Sequence, residues 1–327
     1  MRIGQNPAKS IHDVPQPQPV TVALITYIPF LGGYYAQSLD VLKVCLNSII
    51  ENTTQPYDLL IFDNASCPEV RAYLQGERDA GHIQYLILSE KNMGKAGAWN
   101  FIFGAAPGEY VAYADSDVYF YPGWLDALLR IAETFPNVGM VTGLPLLTPS
   151  EYATATVEWA ERTPDVQVER GALIPWDDFW RHTAPLGTDE ARARWFYADN
   201  PAVRLTYQGV SAFAGAGHFQ FLAPKAALQA ALPFPTDRPM GNVRSLDTAI
   251  NDLGYLRLST PQWWVQHLGN TLDGWEGADS LSGGAAPQRG HHTPRGRGLW
   301  GFPPLRRALS WLNAKTFDLL YRSTTTK

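Results

Sequence analysis

The sequence predicts an α/β protein built on a doubly wound, mostly parallel sheet, followed by a C-terminal part of less regular pattern. Three observations carry that expectation. Short, nearly continuous apolar runs recur from Val20 onward, stretches of helical period separate them, and the runs lack the apolar–polar alternation of a one-sided sheet. Strands covered by helices on both faces read this way, and alternation of strand with helix marks βαβ units. At 327 residues and 45% apolar composition the chain can bury one enlarged domain or two.

Taken in order, residues 1–19 end in Pro15-Gln16-Pro17-Gln18-Pro19, whose alternating prolines predict an extended, flexible tail. Val20–Tyr27, Tyr57–Phe62, Ile83–Leu88, Tyr110–Ala114 and Val138–Thr142 read as strands. Between them, Gln37–Glu51 carries Leu39, Leu42, Leu46, Ile49 and Ile50 at helical spacing, and Pro122 suits the first position of a helix over Gly123–Phe135. This defines a first half at 20–147. Residues 148–272, rich in Trp, Pro and Arg early on, suit a substrate-binding half. Within the last stretch, 273–327, Asp273–Pro304 reads as a flexible basic loop, where His291, His292, Arg295 and Arg297 could close over an anionic ligand. Leu305–Arg322 is amphipathic, either a terminal helix docked on the core or one lying on anionic lipid.

Composition also excludes. A formal net charge of −5 supplies no basic field for nucleic acid, so no nucleic-acid partner is expected. Cys45 and Cys67 cannot build a disulfide framework or a thiolate zinc centre, which favours a reducing compartment. The N-terminus has no apolar signal core, and no later apolar run reaches membrane-spanning length. The expectation is a cytoplasmic protein, peripheral at the inner membrane face if 305–322 touches lipid.

In open α/β sheets ligands bind beyond the carboxyl ends of the strands. Thr26-Tyr27 ends the first expected strand, Asp63-Asn64-Ala65-Ser66 the second, Asn92-Met93-Gly94-Lys95-Ala96-Gly97 follows the third, and Asp115-Ser116-Asp117 ends the fourth. Together these types can meet a ribose or base, a phosphate and a metal. Two carboxylates spaced as Asp115 and Asp117 suit a hard divalent cation, although alone such pairs more often hold turns or caps. No Gly-x-Gly-x-x-Gly or Gly-x-x-x-x-Gly-Lys-Ser/Thr follows a strand, so a metal is the expected means of holding phosphate.

With these residues in place, Val20–Leu147 resembles the family 2 glycosyltransferases, inverting enzymes of the GT-A fold that move a sugar from a nucleotide-diphosphate donor. The resemblance rests on Val22-Ala23-Leu24-Ile25-Thr26-Tyr27, Cys45-Leu46-Asn47-Ser48-Ile49, Asp63-Asn64-Ala65-Ser66, Asn92 through Asn100, and Asp115-Ser116-Asp117, in that order. It implies that Thr26, Tyr27, Asp63 and Asn64 meet base and ribose, that Asn92, Gly94 and Lys95 line the donor pocket, and that Asp115 meets ribose or metal. Asp117, with His267, would complete the Mn²⁺ or Mg²⁺ site. The insertion Ile28–Ala36 departs from the family's shorter turn.

Further on, Gly215–Lys225 resembles the family's glycine-bearing strand before a helix, and Leu246–Asp252 its acidic catalytic segment. Asp247 is the expected base, because inversion needs a carboxylate opposite the leaving diphosphate. Asp252 is its rival, and a helix cap is the plain alternative. Trp176, Trp180, Trp263 and Trp264 could stack on sugar faces. The Gln-x-x-Arg-Trp segment of processive polysaccharide synthases is absent, as are apolar runs that would thread a polymer through a membrane, so transfer of one sugar per visit is expected, to a carbohydrate or glycoconjugate acceptor. Two other readings stand beside it: a sugar-phosphate nucleotidyltransferase, and a non-catalytic carbohydrate-binding protein with this fold.

Overall fold

The structure is a computed structural model describing residues 3–238, 242–273 and 275, all within one compact unit, Met1–Gly284. The expectations for His291, His292, Arg295, Arg297 and the 305–322 helix lie outside the described residues. Among the described residues, no helix is long and apolar enough to cross a membrane.

The apolar runs form strands within a few residues of the expected bounds. β1 (Val20–Thr26) is buried throughout, and α1 (Ser38–Asn52) lays Val41, Leu42, Cys45, Leu46 and Ile49 into the core. Then follow β2 (Tyr57–Asn64), α2 (Pro68–Asp79), β3 (Tyr85–Ser89), α3 (Gly94–Ala105) and β4 (Tyr110–Asp115). A short β5 (Val118–Phe120) leads to α4 (Trp124–Thr134) and the fully buried β6 (Val138–Thr142). Pro122 stays outside α4, contrary to expectation: Gly123 is the cap residue, at a φ of 84° that glycine adopts without steric cost.

Beyond 147 come α5 (Thr154–Arg162), β7 (Gln167–Gly171), α6 (Trp176–Thr183), α7 (Glu190–Asp199), β8 (Ala202–Tyr207) and β9 (Val210–Ala214). They continue into β10 (Gln220–Pro224), α8 (Lys225–Ala230), α9 (Arg244–Asp252), β11 (Leu256–Ser259) and β12 (Val265–His267). The main sheet has ten strands in the order β3-β2-β1-β4-β10-β6-β11-β9-β8-β7. Its first four are parallel, β10 runs antiparallel between β4 and β6, and β7 to β9 add an antiparallel edge.

The sheet is covered on both faces, which is why its central strands lack polar alternation. One core joins Leu42, Leu46, Leu74, Trp124 and Leu128. The other is aromatic, with Trp99, Phe103, Tyr113, Phe221 and Phe234 in edge and tilted contacts at 5.3–6.3 Å between centroids. Two links position the site: β12 pairs antiparallel with β5, setting His267 opposite Val118, and Asp115 N donates to Phe219 O at 2.8 Å just ahead of β10.

Gly215 opens the segment before β10 at a φ of 121°, and a Cβ there would strike the side chain of Thr148. Gly215→Ala is expected to destabilise the protein by about 1–3 kcal/mol through strain and collision. A lowered urea midpoint with an unchanged slope would report it, and an unchanged midpoint would contradict it.

Candidate functional site

The carboxyl ends of the parallel strands deliver the polar residues that the sequence marked. At the end of β1, Thr26 is buried and its Oγ1 has no partner, whereas Tyr27 is 38% exposed. At the end of β2, Asp63 is fully buried: its carboxylate accepts from Ser66 N at 3.2 Å and from Arg71 Nε at 3.0 Å. Asp63 thus holds its own turn and reaches α2 through Arg71 rather than capping it, since Cys67 is the cap residue there.

Asn64 and Asn92 form a clamp. Asn64 Nδ2 donates to Asn92 Oδ1 at 2.9 Å, Asn64 Oδ1 accepts from Met93 N at 2.8 Å, and Asn92 Oδ1 accepts from Gly94 N at 2.8 Å. The clamp fixes the start of α3, where Gly94 takes a φ of 70° and Lys95 stands in the first turn. A helix N-terminus with a lysine and no acid in its first turn favours negative charge.

Lys95 Nζ donates to Asp115 Oδ2 at 2.6 Å, and Tyr113 OH donates to Asp115 Oδ1 at 2.6 Å. Both oxygens of Asp115 are therefore engaged. Lys95 also lies over the rings of Trp99 and Tyr113, at 5.2 and 5.8 Å from their centroids. Burial, and then Asp115 itself, push the Tyr113 phenol well above its ordinary range, so it stays a donor.

Two residues on, Asp117 Oδ2 lies 3.2 Å from His267 Nε2, with 31% and 11% of the two side chains exposed. The pairing of β12 with β5 brings these distant residues together, and Leu268 N donates to Asp117 O at 2.7 Å. Desolvation pushes the Asp117 carboxyl up, but His267 and then Lys95 outweigh it and leave the group below its usual range. Burial pushes His267 down, but Asp117 and Asp115 outweigh it and hold the imidazole above 6.5. Asp117 Oδ1 and His267 Nδ1 have no partner.

Among the described residues, no three His, Cys, Asp or Glu side chains converge as a complete metal cage. The Asp117–His267 pair nevertheless suits a divalent ion. Carboxylate oxygen and imidazole nitrogen are accepted by Mn²⁺, the two stand 3.2 Å apart, and an unpartnered buried carboxylate oxygen has capacity for a further ligand. Asp115, committed to Lys95 and Tyr113, stands behind this pair.

On the other side of β10, Asp247 lies in the first turn of α9, not at its cap. Its Oδ1 accepts from Nη2 of Arg257, and its Oδ2 lies 2.9 Å from His218 Nδ1. Arg257 is fully buried on β11 and also donates to Tyr152 O and Ala216 O. Asp252, the rival acid, is exposed at the far end of the same helix.

Of the tryptophans, Trp176 is covered by protein: the Arg194 guanidinium sits 4.2 Å from its ring centroid and Trp180 stacks at 5.7 Å. Trp263 carries Arg181 at 4.7 Å. Trp264 lines a cavity of about 520 Å³ with Gly123, Asp126 and Arg130, which includes none of the strand-end polar residues. The inserted loop packs Phe30 and Tyr34 edge-on to Tyr35, and Asn270 Nδ2 ties it down through Tyr34 O at 2.7 Å.

Sequence reasoning passed over Arg71, His218 and Arg257. Arg257 left a signal, a lone charge inside the apolar run Leu256–Leu258, which in a buried strand requires an acidic partner. His218 left none beyond its place after Gly215-Ala216-Gly217.

Residues 34–172 match the family model described as Glycosyl transferase family 2. An uncharacterized glycosyltransferase from Nostoc sp. is 26% identical over 106 residues, 32% of this chain and 33% of that protein. The chain therefore matches about a third of that relative's length. Among solved structures, the mannosyltransferase PcManGT from Pyrobaculum calidifontis, in complex with GDP-Man and Mn²⁺, is similar at 19% identity and a TM-score of 0.44, over 75% of this chain and 55% of that one. TarS 1–349 from S. aureus, in complex with UDP-GlcNAc, is similar at 13% identity and 0.45, over 75% and 57%.

Proposed function

We propose that this chain, whose residues 34–172 belong to glycosyl transferase family 2, is a metal-dependent inverting glycosyltransferase that moves one sugar from a nucleotide-diphosphate donor to the hydroxyl of a carbohydrate or glycoconjugate. The observation that carries this reading is the Asp117–His267 pair, joined across β5 and β12 at the mouth of a parallel sheet. Asp117 and His267 would hold Mn²⁺ or Mg²⁺, which supplies Lewis-acid stabilisation of the leaving diphosphate. Thr26, with its unpartnered hydroxyl, and the exposed Tyr27 offer contacts for the nucleoside. The Asn64–Asn92 clamp presents the first turn of α3 to phosphate, and Asp63 supports the wall through Arg71. Lys95 holds Asp115 in place and adds a positive charge near the diphosphate. The acceptor proton leaves on the Asp247 side.

The test is a panel of nucleotide-sugars incubated with Mn²⁺ and glycan acceptors, read as sugar transferred and as the anomeric configuration of the product by NMR. An inverted product supports the reading, and a retained anomer would remove the mechanism. Failure to transfer from any donor, with no binding of a nucleoside diphosphate, would remove the enzyme.

His267 gives this reading a pH signature. Its folded pKa is raised, so the proton shared with Asp117 stabilises the fold below the ordinary 6.5 and that contribution fades as pH rises through the higher folded value. Metal binding must displace the same proton. Mn²⁺ affinity in the presence of UDP or GDP is expected to rise with pH, levelling only above the raised value, with about one proton released per ion. Calorimetry in buffers of different ionisation enthalpy measures that number, and a flat pH dependence would contradict it.

A further inference from the structure

His218 stands in the turn after Gly215-Ala216-Gly217, one residue before Phe219, whose carbonyl receives Asp115 N. Backbone register therefore sets it beside the ends of β4 and β10. Its side chain is 32% exposed, that of Asp247 8%, and that of Arg257 0%. From solvent inward the order is imidazole, carboxylate, guanidinium. Both oxygens of Asp247 already accept from nitrogen, Oδ1 from Arg257 and Oδ2 from His218. His218 Nε2, by contrast, makes no hydrogen bond to the described residues, and it belongs to the most exposed side chain of the three.

We infer that His218 takes the acceptor proton at Nε2, and that Asp247 is a positioning residue behind it, held in turn by Arg257. The inference rests on the transferase reading and deepens it. An ionised Asp247 accepts the Nδ1–H, which fixes the tautomer and leaves the Nε2 lone pair pointing out. In the step, the acceptor O–H bond breaks as its proton moves to Nε2, and the oxygen's electron pair forms the bond to the anomeric carbon. The bond from that carbon to the diphosphate oxygen breaks, its pair leaving with the nucleoside diphosphate. The imidazolium so formed is balanced by Asp247, and its proton then passes to water.

The other ionisable groups around His218 leave this role open to it. His182 of α6 is kept neutral down to about 3, by burial first and then by His267 and His218, so it adds no competing charge near neutrality. Lys95 lies beyond Trp99, whose ring is 6.4 Å from that of His218. Arg257 from β11 and Arg244 of α9 act on Asp247 rather than on the imidazole.

The decisive variant is His218→Asn. Its amide can keep the donation to Asp247 but has no basic nitrogen. Turnover is expected to fall about 10²-fold or more, with binding of UDP or GDP and Mn²⁺ unchanged and the melting transition retained. With Mn²⁺ and donor saturating at every pH, the wild-type profile of kcat should show an acidic limb, and that limb should vanish from the residual rate of the variant. His218→Gln, which cannot place its amide at Nδ1, should lose the same limb and guards against an accidental misfold in the first variant. If the wild type transfers sugar and His218→Asn keeps both its rate and its acidic limb, His218 is not the base and Asp247 acts directly. If the wild type neither transfers sugar nor binds either nucleotide, the transferase reading and this inference fall together.

Discussion

Arg257→Ala is expected to cost about 3–5 kcal/mol of stability, the range for breaking a buried ion pair from one side. The guanidinium is fully buried and serves three acceptors at once: Asp247 Oδ1, Tyr152 O and Ala216 O. Removing it strands a carboxylate on a side chain only 8% exposed, together with two carbonyls. It also leaves a void between α9 and the sheet. Arg257→Lys should fall between the two, because one compact ammonium cannot span three acceptors. Urea unfolding measures the loss, and a midpoint within error of wild type would show that the pair adds nothing to the fold. The effect should reach the chemistry too, since Asp247 without Arg257 no longer has a fixed orientation towards His218.

Asp117→Asn should leave the protein folded while removing about 10³-fold or more of metal-dependent turnover, as expected when the charge facing a leaving group is withdrawn. The backbone clasp from Leu268 N to Asp117 O survives the change, so the β5–β12 pairing should persist. The amide, however, gives His267 a neutral neighbour, and the imidazole loses the first of the influences that raise it. Two readings separate this from general damage: far-UV circular dichroism should match wild type, and Mn²⁺ should no longer tighten the binding of UDP or GDP. A variant that retains full turnover with Mn²⁺ would remove Asp117 from the site.

The parallel half of the fold was legible because its strands, apart from the half-exposed edge strand β3, are buried on both faces. β1 and β6 are buried at every residue, and such strands leave unbroken apolar runs that need no knowledge of partners. β7 could not be read this way: Gln167–Gly171 is a largely exposed edge strand held mainly by pairing with β8, and Val168 alone packs on the core, so its sequence carries no apolar period. β10 was legible as a strand before a helix, yet its antiparallel insertion between β4 and β6 depends on long-range register.

In the site, the strand-end residues were legible because strand ends concentrate ligand contacts whatever the partner. What stayed hidden was which carboxylates pair inward. Asp115 and Asp117 are alike in sequence, but Lys95 and Tyr113 engage the first, while His267, 150 positions away by the numbering, meets the second. The roles of Arg71, His218 and Arg257 likewise come from residues brought together across the sheet, a distance that local patterns do not encode.

Each acid near the strand ends already has an internal counter-ion: Arg71 for Asp63, Lys95 for Asp115, His267 for Asp117, and Arg257 for Asp247. The cleft is therefore close to electrically self-compensated before anything enters it. A free divalent ion gains little by entering alone, because it must first evict a proton and finds few spare anions. Only when a diphosphate brings its own negative charge does the balance tip, so cation and nucleotide should recruit one another as a single cargo.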